Sequence, residues 1–367
     1  MKVLIAPLIV HPRCDAGYHI AKQLTDLFIA HDITCAVSAD SHNDFQHVSL
    51  YPVPKARKPL FNFGADNRAH EEWLYSNGFF SKQYIENDYA SLCAAIDQFQ
   101  PDLIISYDRP AALMAALQRQ IPCWEFVVPA MYRNAYFPTR CMHGLNAVLE
   151  ENNMVQQLNL QYFYDKATRR IGYGPIETAP YLSENNVTRI GSAAIPQKKE
   201  TRTNRVCIFI SEYDGNAITL RNMIDSAFLG APYYVYVSIP AITAHKESNL
   251  HYLRYPDVKL INGASAIIHD GNDFYFNQAL VYGVPQMIIA DHSYERNFNA
   301  LATTRYKFGR YIFEEDLSMA ALYEGYRTLM ADDMYYENTQ LMRTKIEQYN
   351  DISELLNLLH IDTNKLQ

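Results

Sequence analysis

Short blocks of consecutive apolar residues alternate along this chain with longer blocks whose apolar positions recur at helical spacing. Residues 2–10 form an apolar, β-branched, strand-like run. Over 17–31, Ile20, Leu24, Leu27 and Phe28 share one helix face. "HDITCAVSAD" reads as a second strand. "NDYASLCAAIDQFQ" reads as an amphipathic helix stopped by Pro101. "PDLIISYD" and "IPCWEFVVPA" are two more buried strands, with "PAALMAALQRQ" as the helix between them. Unbroken apolar strands alternating with helices predict a parallel sheet covered on both faces.

The pattern breaks at 194–205, where "AIPQKKETRTNR" is polar, basic and contains a proline, and so reads as an exposed linker. It restarts at "VCIFISEYDG", followed by a helix over 215–229 and the strands "PYYVYVS", "DVKLIN" and "ASAIIHD". A helix over 272–282, the strand "PQMIIAD" and helical segments from about 293 onward complete the chain. The expected class is therefore α/β, with two doubly wound units: 1–197, a linker over 198–205, and 206–367, the last helices crossing back. The length of 367 residues agrees with two domains rather than one. Two such units are expected to face each other across a cleft and to bind ligand at the carboxyl ends of their strands.

Composition narrows the function classes. At 49% apolar and 20% charged the chain is globular rather than disordered. A net charge of -8 removes any general attraction to nucleic acid or anionic lipid. The six cysteines (14, 35, 93, 123, 141 and 207) are scattered without a C-x-x-C pair, which points to reduced, buried thiols and away from disulfides or zinc. Neither a signal peptide nor an apolar span of 18 residues is visible, so no transmembrane segment and a cytoplasmic location are expected. No G-x-G-x-x-G follows the first strand, which argues against a dinucleotide oxidoreductase.

The candidate chemistry concentrates in "HDGNDFYFNQALVYGVP", residues 269–285. A strand ends at His269, Gly271 permits close backbone approach, and Asn272, Asp273 and Phe274 open a helix with free amides. That arrangement suits a phosphate, to which His269 is placed to donate. The carboxylate of Asp273 would repel a phosphate, and is expected to turn away as a helix cap. Without a ligand the same stretch is an ordinary capped strand–turn–helix.

Extended to "IIHDGNDFYFNQALVYGVPQMIIADHSYERNFNA", the segment resembles the donor-binding half of the inverting GT-B nucleotide-sugar glycosyltransferases, the class that includes UDP-glycosyltransferases. The likeness rests on His-x-Gly, a helix ending Ala-Leu-x-x-Gly-x-Pro, a strand, and an acidic–polar pair before Asn299-Ala300. It is clearest over 264–312, with weaker echoes in "PDLIISYD" and "NVTRIGSAAIP". The resemblance implies a GT-B architecture of two Rossmann-like domains, an N-terminal one for acceptor and a C-terminal one for donor. It implies transfer of a sugar from a nucleotide-diphosphate sugar, a UDP-sugar first, to an acceptor hydroxyl with inversion, needing neither metal nor other cofactor.

Site roles follow from the same resemblance. The histidine's place falls on His269 or Asp270, because the spacing to Gly283 is one residue longer than in relatives. Gln278 stands where a glutamate contacts the ribose, and the backbone around Asn262 would serve the base. Glu295-Arg296 replaces an Asp-Gln or Glu-Gln pair that holds sugar hydroxyls; Arg296 would favour an acidic sugar or reach a phosphate. Alternatively the two form an exposed salt bridge at a helix start. Ser211, Gly215 and Asn216 stand in a loop that touches phosphates or sugar in relatives. The general base would lie in "HPRCDAGYH": Asp15 by alignment, with His11 and His19 as alternatives, and Asp108 orienting a basic histidine. Asp15 would serve equally well as a helix cap. The segment "PLFNFGADNRAHEEWLYSNGFF" could line an acceptor pocket. Retaining transfer is disfavoured because two glutamates eight residues apart are missing. Two competitors stand beside the transferase: a nucleotide-sugar epimerase on the same fold, and a decayed GT-B-like partner subunit of another glycosyltransferase. Homo-oligomerisation is a further expectation.

Overall fold

A computed structural model describes residues 1–11, 13–40, 44–45, 47–59, 67–133, 138–175, 177–179, 186–198, 200–213 and 215–359. The first part of the candidate acceptor segment, 60–66, lies outside the described residues.

The first sheet contains β1 (Lys2–Pro7), β2 (Thr34–Ser38), β3 (Ser49–Tyr51), β4 (Leu103–Tyr107), β5 (Cys123–Phe126), β6 (Arg169–Tyr173) and β7 (Thr188–Ile190), in the spatial order β3-β2-β1-β4-β5-β6-β7. All pairings from β3 to β6 are parallel. The second contains β8 (Arg205–Phe209), β9 (Tyr234–Ser238), β10 (His245–Glu247), β11 (Leu250–Tyr252), β12 (Ala266–His269), β13 (Gln286–Ala290) and β14 (Gly309–Phe313), ordered β10-β11-β9-β8-β12-β13-β14. Only the β10–β11 edge pairing is antiparallel there. In each sheet the order reverses at one point, between β1 and β4 and between β8 and β12. Such a switch point opens a crevice at the carboxyl ends of the two strands.

The helices cover both faces, as the unbroken apolar strands require. They are α1 (Ala16–Ala30), α2 (His70–Ser76), α3 (Lys82–Phe99), α4 (Pro110–Arg119), α5 (His143–Glu151), α6 (Leu160–Tyr164), α7 (Ala217–Phe228), α8 (Asp273–Tyr282), α9 (Tyr294–Arg305), α10 (Met319–Ala331) and α11 (Asp333–Ile346). Their ends have local causes. Ser81 caps α3 by accepting from the Tyr84 amide, and Gln100, left-handed ahead of Pro101, ends it. Asn216 caps α7 through the amides of Ile218 and Thr219. No helix among the described residues is long and apolar enough to cross a membrane.

Two elements depart from the sequence pattern. "DVKLIN" is not a strand: Asp257 accepts from the Lys259 amide at 3.1 Å and turns 258–261 into a single 3₁₀ turn. The region after 293 is not purely helical, because β14 extends the sheet edge beside β13.

The chain folds into two compact units. One is Met1–Pro12, Gly17–Gly172 and Ala179–Arg189; the other is Arg13–Ala16, Tyr173–Thr178 and Ile190–Gln367. Each has its own core. In the first, Leu4, Ile104 and Leu113 pack with Leu92, Leu145 and Phe163; in the second, Val206, Ile208 and Ile268 pack with Leu220, Phe228 and Leu322. The expected linker is exposed yet hydrogen-bonded to the second unit. Asn262 accepts from the Glu200 amide at 3.0 Å and donates to the Lys198 carbonyl at 2.8 Å, while the Thr203 amide donates to the Gly263 carbonyl at 2.8 Å.

Candidate functional site

At the switch point of the second sheet, the loops after β8 and β12 are tied together by one side chain. Asp270 is buried, and its Oδ2 accepts from the amides of Ser211 (2.8 Å) and Glu212 (2.9 Å) and from the Ser211 hydroxyl. Ser211 and Asp270 therefore brace the site floor, whereas the sequence pattern assigned both to the ligand. Gly271 follows at φ +81°, where a Cβ would stand 3.0 Å from the Arg296 Cα. Both its conformation and its closeness to α9 demand glycine.

His269 lies on β12 with no exposed surface, pointing into the sheet's packing. Its Nδ1 accepts from the Gly271 amide at 3.1 Å, so Nε2 carries the proton and donates to Gln286 Oε1 at 2.8 Å. Burial lowers its pKa to about 4, keeping it neutral. With both nitrogens engaged inside the fold, His269 has no N–H left for a phosphate. This corrects its expected donor role: the residue positions the turn.

The N-terminus of α8 follows this turn, and its geometry is specific. Asn272, not Asp273, is the cap, accepting from the Phe274 amide at 2.9 Å. Asp270 Oδ1 lies 3.3 Å from the Asn272 amide. The Asp273 amide donates to Glu295 Oε1, on α9, at 2.7 Å. Asn299, also on α9 and fully buried, donates to the Gly271 carbonyl at 2.9 Å and lies 3.4 Å from Asp273 Oδ1. Thus Glu295, Asn299 and the amides of 272–274 do converge on one turn. Burial, then the neighbouring Asp273 charge, raise the pKa of Glu295 to about 8. Gln278 is buried on α8, and its Nε2 has no hydrogen-bond partner among the described residues.

Arg296 corrects two expectations at once. It is buried rather than an exposed salt bridge, and its guanidinium is ringed by Glu212 (2.7 Å), Asp291 (3.4 Å), Glu314 (3.7 Å) and Asp270 (3.7 Å). These carboxylates come from the ends of β8, β12, β13 and β14. Their charge outweighs that of the arginine, so the cluster is not arranged to attract an acidic sugar. Glu212, Asp291 and Glu314 carry no motif that singles them out, which is why sequence reading missed them. Around Asn262, whose backbone was expected to serve the base, the side chain holds residues 198 and 200 and the carbonyl accepts from Arg205. Asn216 is the α7 cap, and Gly215 packs against the Tyr213 ring.

At the switch point of the first sheet, a cavity of about 360 Å³ opens beside β1. Leu8, Val10 and His11 line it together with Asp40, Val53, Phe79 and Tyr84. His19 lies elsewhere, buried on α1, where burial drives its pKa down to about 3. Asp15 occupies the turn just before α1 and is half-buried. Asp108 was expected beside a histidine of the first loop, and the histidine it meets is on α2 instead. His70 Nε2 on α2 bonds to Asp108 Oδ1, which also accepts from the Tyr164 hydroxyl at 3.2 Å. The Asp108 amide in turn donates to Glu125 at 2.8 Å, and burial raises that carboxyl well above its usual range.

No family model matches the chain, and no curated protein sequence matches it. Solved structures do. The spinosyn rhamnosyltransferase SpnG is similar over 98% of this chain and 100% of its own, at a TM-score of 0.71 and 15% identity; a complex of it with thymidine diphosphate is also known. VinC, a glycosyltransferase solved with dTDP, is similar over 100% of both chains at a TM-score of 0.65 and 17% identity. SnogD, a glycosyltransferase from Streptomyces nogalater, is similar over 98% of this chain and 99% of its own, at 0.63 and 16%. The fold is that of the GT-B nucleotide-sugar glycosyltransferases.

Proposed function

From that fold we propose that the chain transfers a sugar from a nucleoside-diphosphate sugar to an acceptor hydroxyl with inversion. The observation that carries the proposal is the turn at 270–274. A left-handed Gly271 delivers the chain to the N-terminus of α8, with Glu295 and Asn299 of α9 packed beside its first amides. Helix-terminal amides suit a pyrophosphate, and the same end of the sheet offers a carboxylate and a carboxamide suited to sugar hydroxyls. Structural neighbours bound to thymidine diphosphate add support and put thymidine beside uridine as the base to test.

In this reading the acceptor occupies the cavity of the first unit and gives its hydroxyl proton to a carboxylate or imidazole, Asp15 or His11, as its oxygen attacks the anomeric carbon. The bond from that carbon to the diphosphate breaks, and the amides of 272–274 take up the charge on the leaving group without a metal. The His70–Asp108 pair is a second candidate for the basic group.

Differential scanning fluorimetry with UDP, TDP and their glucose-linked forms tests the donor half. A ligand held at 100 times its Kd should add about 2.7 kcal/mol of stability. A shift with one base identifies the donor; no shift with any of them overturns the donor reading. One observation favours a second reading, a non-catalytic GT-B subunit: the three amides that would meet a phosphate are already covered by Asp270, Glu295 and Asn272.

A further inference from the structure

Two of those three covers are local. Asp270 and Asn272 reach amides two residues ahead of themselves, the usual habit of such side chains in a turn. The third is different. Glu295 comes from α9, and its Oε1 takes the first amide of α8 at 2.7 Å, the contact that an anion makes at a helix N-terminus. We propose that Glu295 is a built-in competitor of the donor diphosphate: its carboxylate holds the α8 terminus in the free protein, leaves when a phosphate arrives, and is then handed to the sugar. The proposal rests on the reading of α8 as the donor site.

Three further features fit an exchangeable carboxylate. Glu295 is weakly retained, since beyond the Asp273 amide its one further hydrogen bond among the described residues is to the Tyr294 hydroxyl at 3.5 Å. The adjacent Arg296 spends its guanidinium on Glu212, Asp270, Asp291 and Glu314 instead. The setting also disfavours the charged form: burial and the Asp273 charge, with Asp270 beyond it, oppose ionisation more than the Asp273 amide and Arg296 support it. Independently, Asn299 points to a ligand at this same turn. It is fully buried and donates to Gly271, while its Oδ1 has no hydrogen-bond partner among the described residues. A buried acceptor of that kind suits an incoming hydroxyl.

The consequence is a site that discriminates between donor and product. A bare diphosphate must evict Glu295 and offers it nothing in return. A sugar-linked diphosphate evicts it and supplies hydroxyls for it to accept from. Product would therefore leave more readily than donor.

Isothermal titration of TDP and UDP, and of their glucose-linked forms, into wild type, Glu295→Ala and Glu295→Gln tests this. At pH 9, above the Glu295 pKa of about 8, Glu295→Ala should bind the bare diphosphate roughly three- to tenfold more tightly than wild type, the range expected for one anion at a helix terminus, and this gain should shrink at pH 7. It should gain nothing for the sugar-linked form. Glu295→Gln keeps the acceptor oxygen without the charge and should gain less. Unfolding midpoints establish that both variants fold. Equal or weaker diphosphate binding by Glu295→Ala at pH 9, with wild type binding normally, overturns the competitor and leaves the donor site standing. Absence of binding in all three proteins overturns both.

Discussion

Each sheet buries one arginine at its switch point, and the two are set in opposite ways. Arg109, at the end of β4, meets a single carboxylate. Its Nε and Nη2 reach the two oxygens of Asp88 at 3.0 and 2.5 Å, and Nη1 donates to the Ser38 carbonyl and hydroxyl. Charge and hydrogen-bonding capacity are both matched, with each side chain 1% exposed. Arg296 meets four carboxylates at uneven distances, two of them more than a fifth exposed. A matched pair locks β2, α3 and β4 together; a mismatched one leaves negative charge over at the carboxyl end of the sheet. The lesson is that burial of an arginine does not report its role. Stoichiometry does.

Breaking the matched pair should have the largest effect. Arg109→Met leaves Asp88 buried and alone, and is expected to cost about 3–5 kcal/mol in urea unfolding. Replacing both by Met and Leu should recover much of that loss, which would identify the pair as structural. Arg296→Met should cost less at pH 7, about 2–3 kcal/mol, because partly exposed carboxylates relax into water. Salt dependence separates the two sites: without Arg296 four carboxylates of like charge face one another, so that variant should regain stability as added salt screens their repulsion. Gly271→Ala tests the turn beside Arg296 and should cost about 1–3 kcal/mol through its left-handed backbone and the approach to α9. It should also abolish any thermal shift with nucleoside diphosphates.

Smaller effects come from single titrating groups, and their signs are opposite. Glu295 has a folded pKa raised to about 8 from 4.5, so the folded state binds more protons in that window and stability falls as pH rises through it. His269 has a folded pKa lowered to about 4 from 6.5, so stability falls as pH drops across that interval. Thermal midpoints between pH 4 and 9 should show the alkaline slope flattened in Glu295→Gln. The acid slope should persist in that variant. Smallest of all, Arg119→Ala, which breaks the exposed pair with Asp97, should leave the urea unfolding midpoint almost unchanged.

The fold was legible because its strands are unbroken apolar runs and its helices carry their own punctuation: Pro101 after α3, Pro110 at the start of α4, and Gly283 closing α8 at φ +65°. The 3₁₀ turn at 258–261 was not, since its cause is one Asp257 side chain competing with the sheet. At the site, sequence found the turn at 269–274 but gave His269 the wrong task. Nothing local announces that Gln286, on the neighbouring strand, will take its Nε2. The ring around Arg296 was illegible for the same reason, its four acids lying at strand ends far apart along the chain. His70 and Asp108 lie on separate elements and meet only in the folded sheet.

The bonds between 198–203 and the second unit bear on how the protein could be cut. Gly191 donates to the Asn350 carbonyl at 2.6 Å, and Ser192 pairs with Asp351, so the second unit gathers in the chain well upstream of its first strand. A fragment started at Arg205, where the sheet begins, would strip Asn262 of both side-chain partners and leave a buried amide unpaired, at a cost of about 1–3 kcal/mol. A fragment started at Ile190 keeps them. Whoever wishes to study nucleotide binding on the second half alone should place the new N-terminus there.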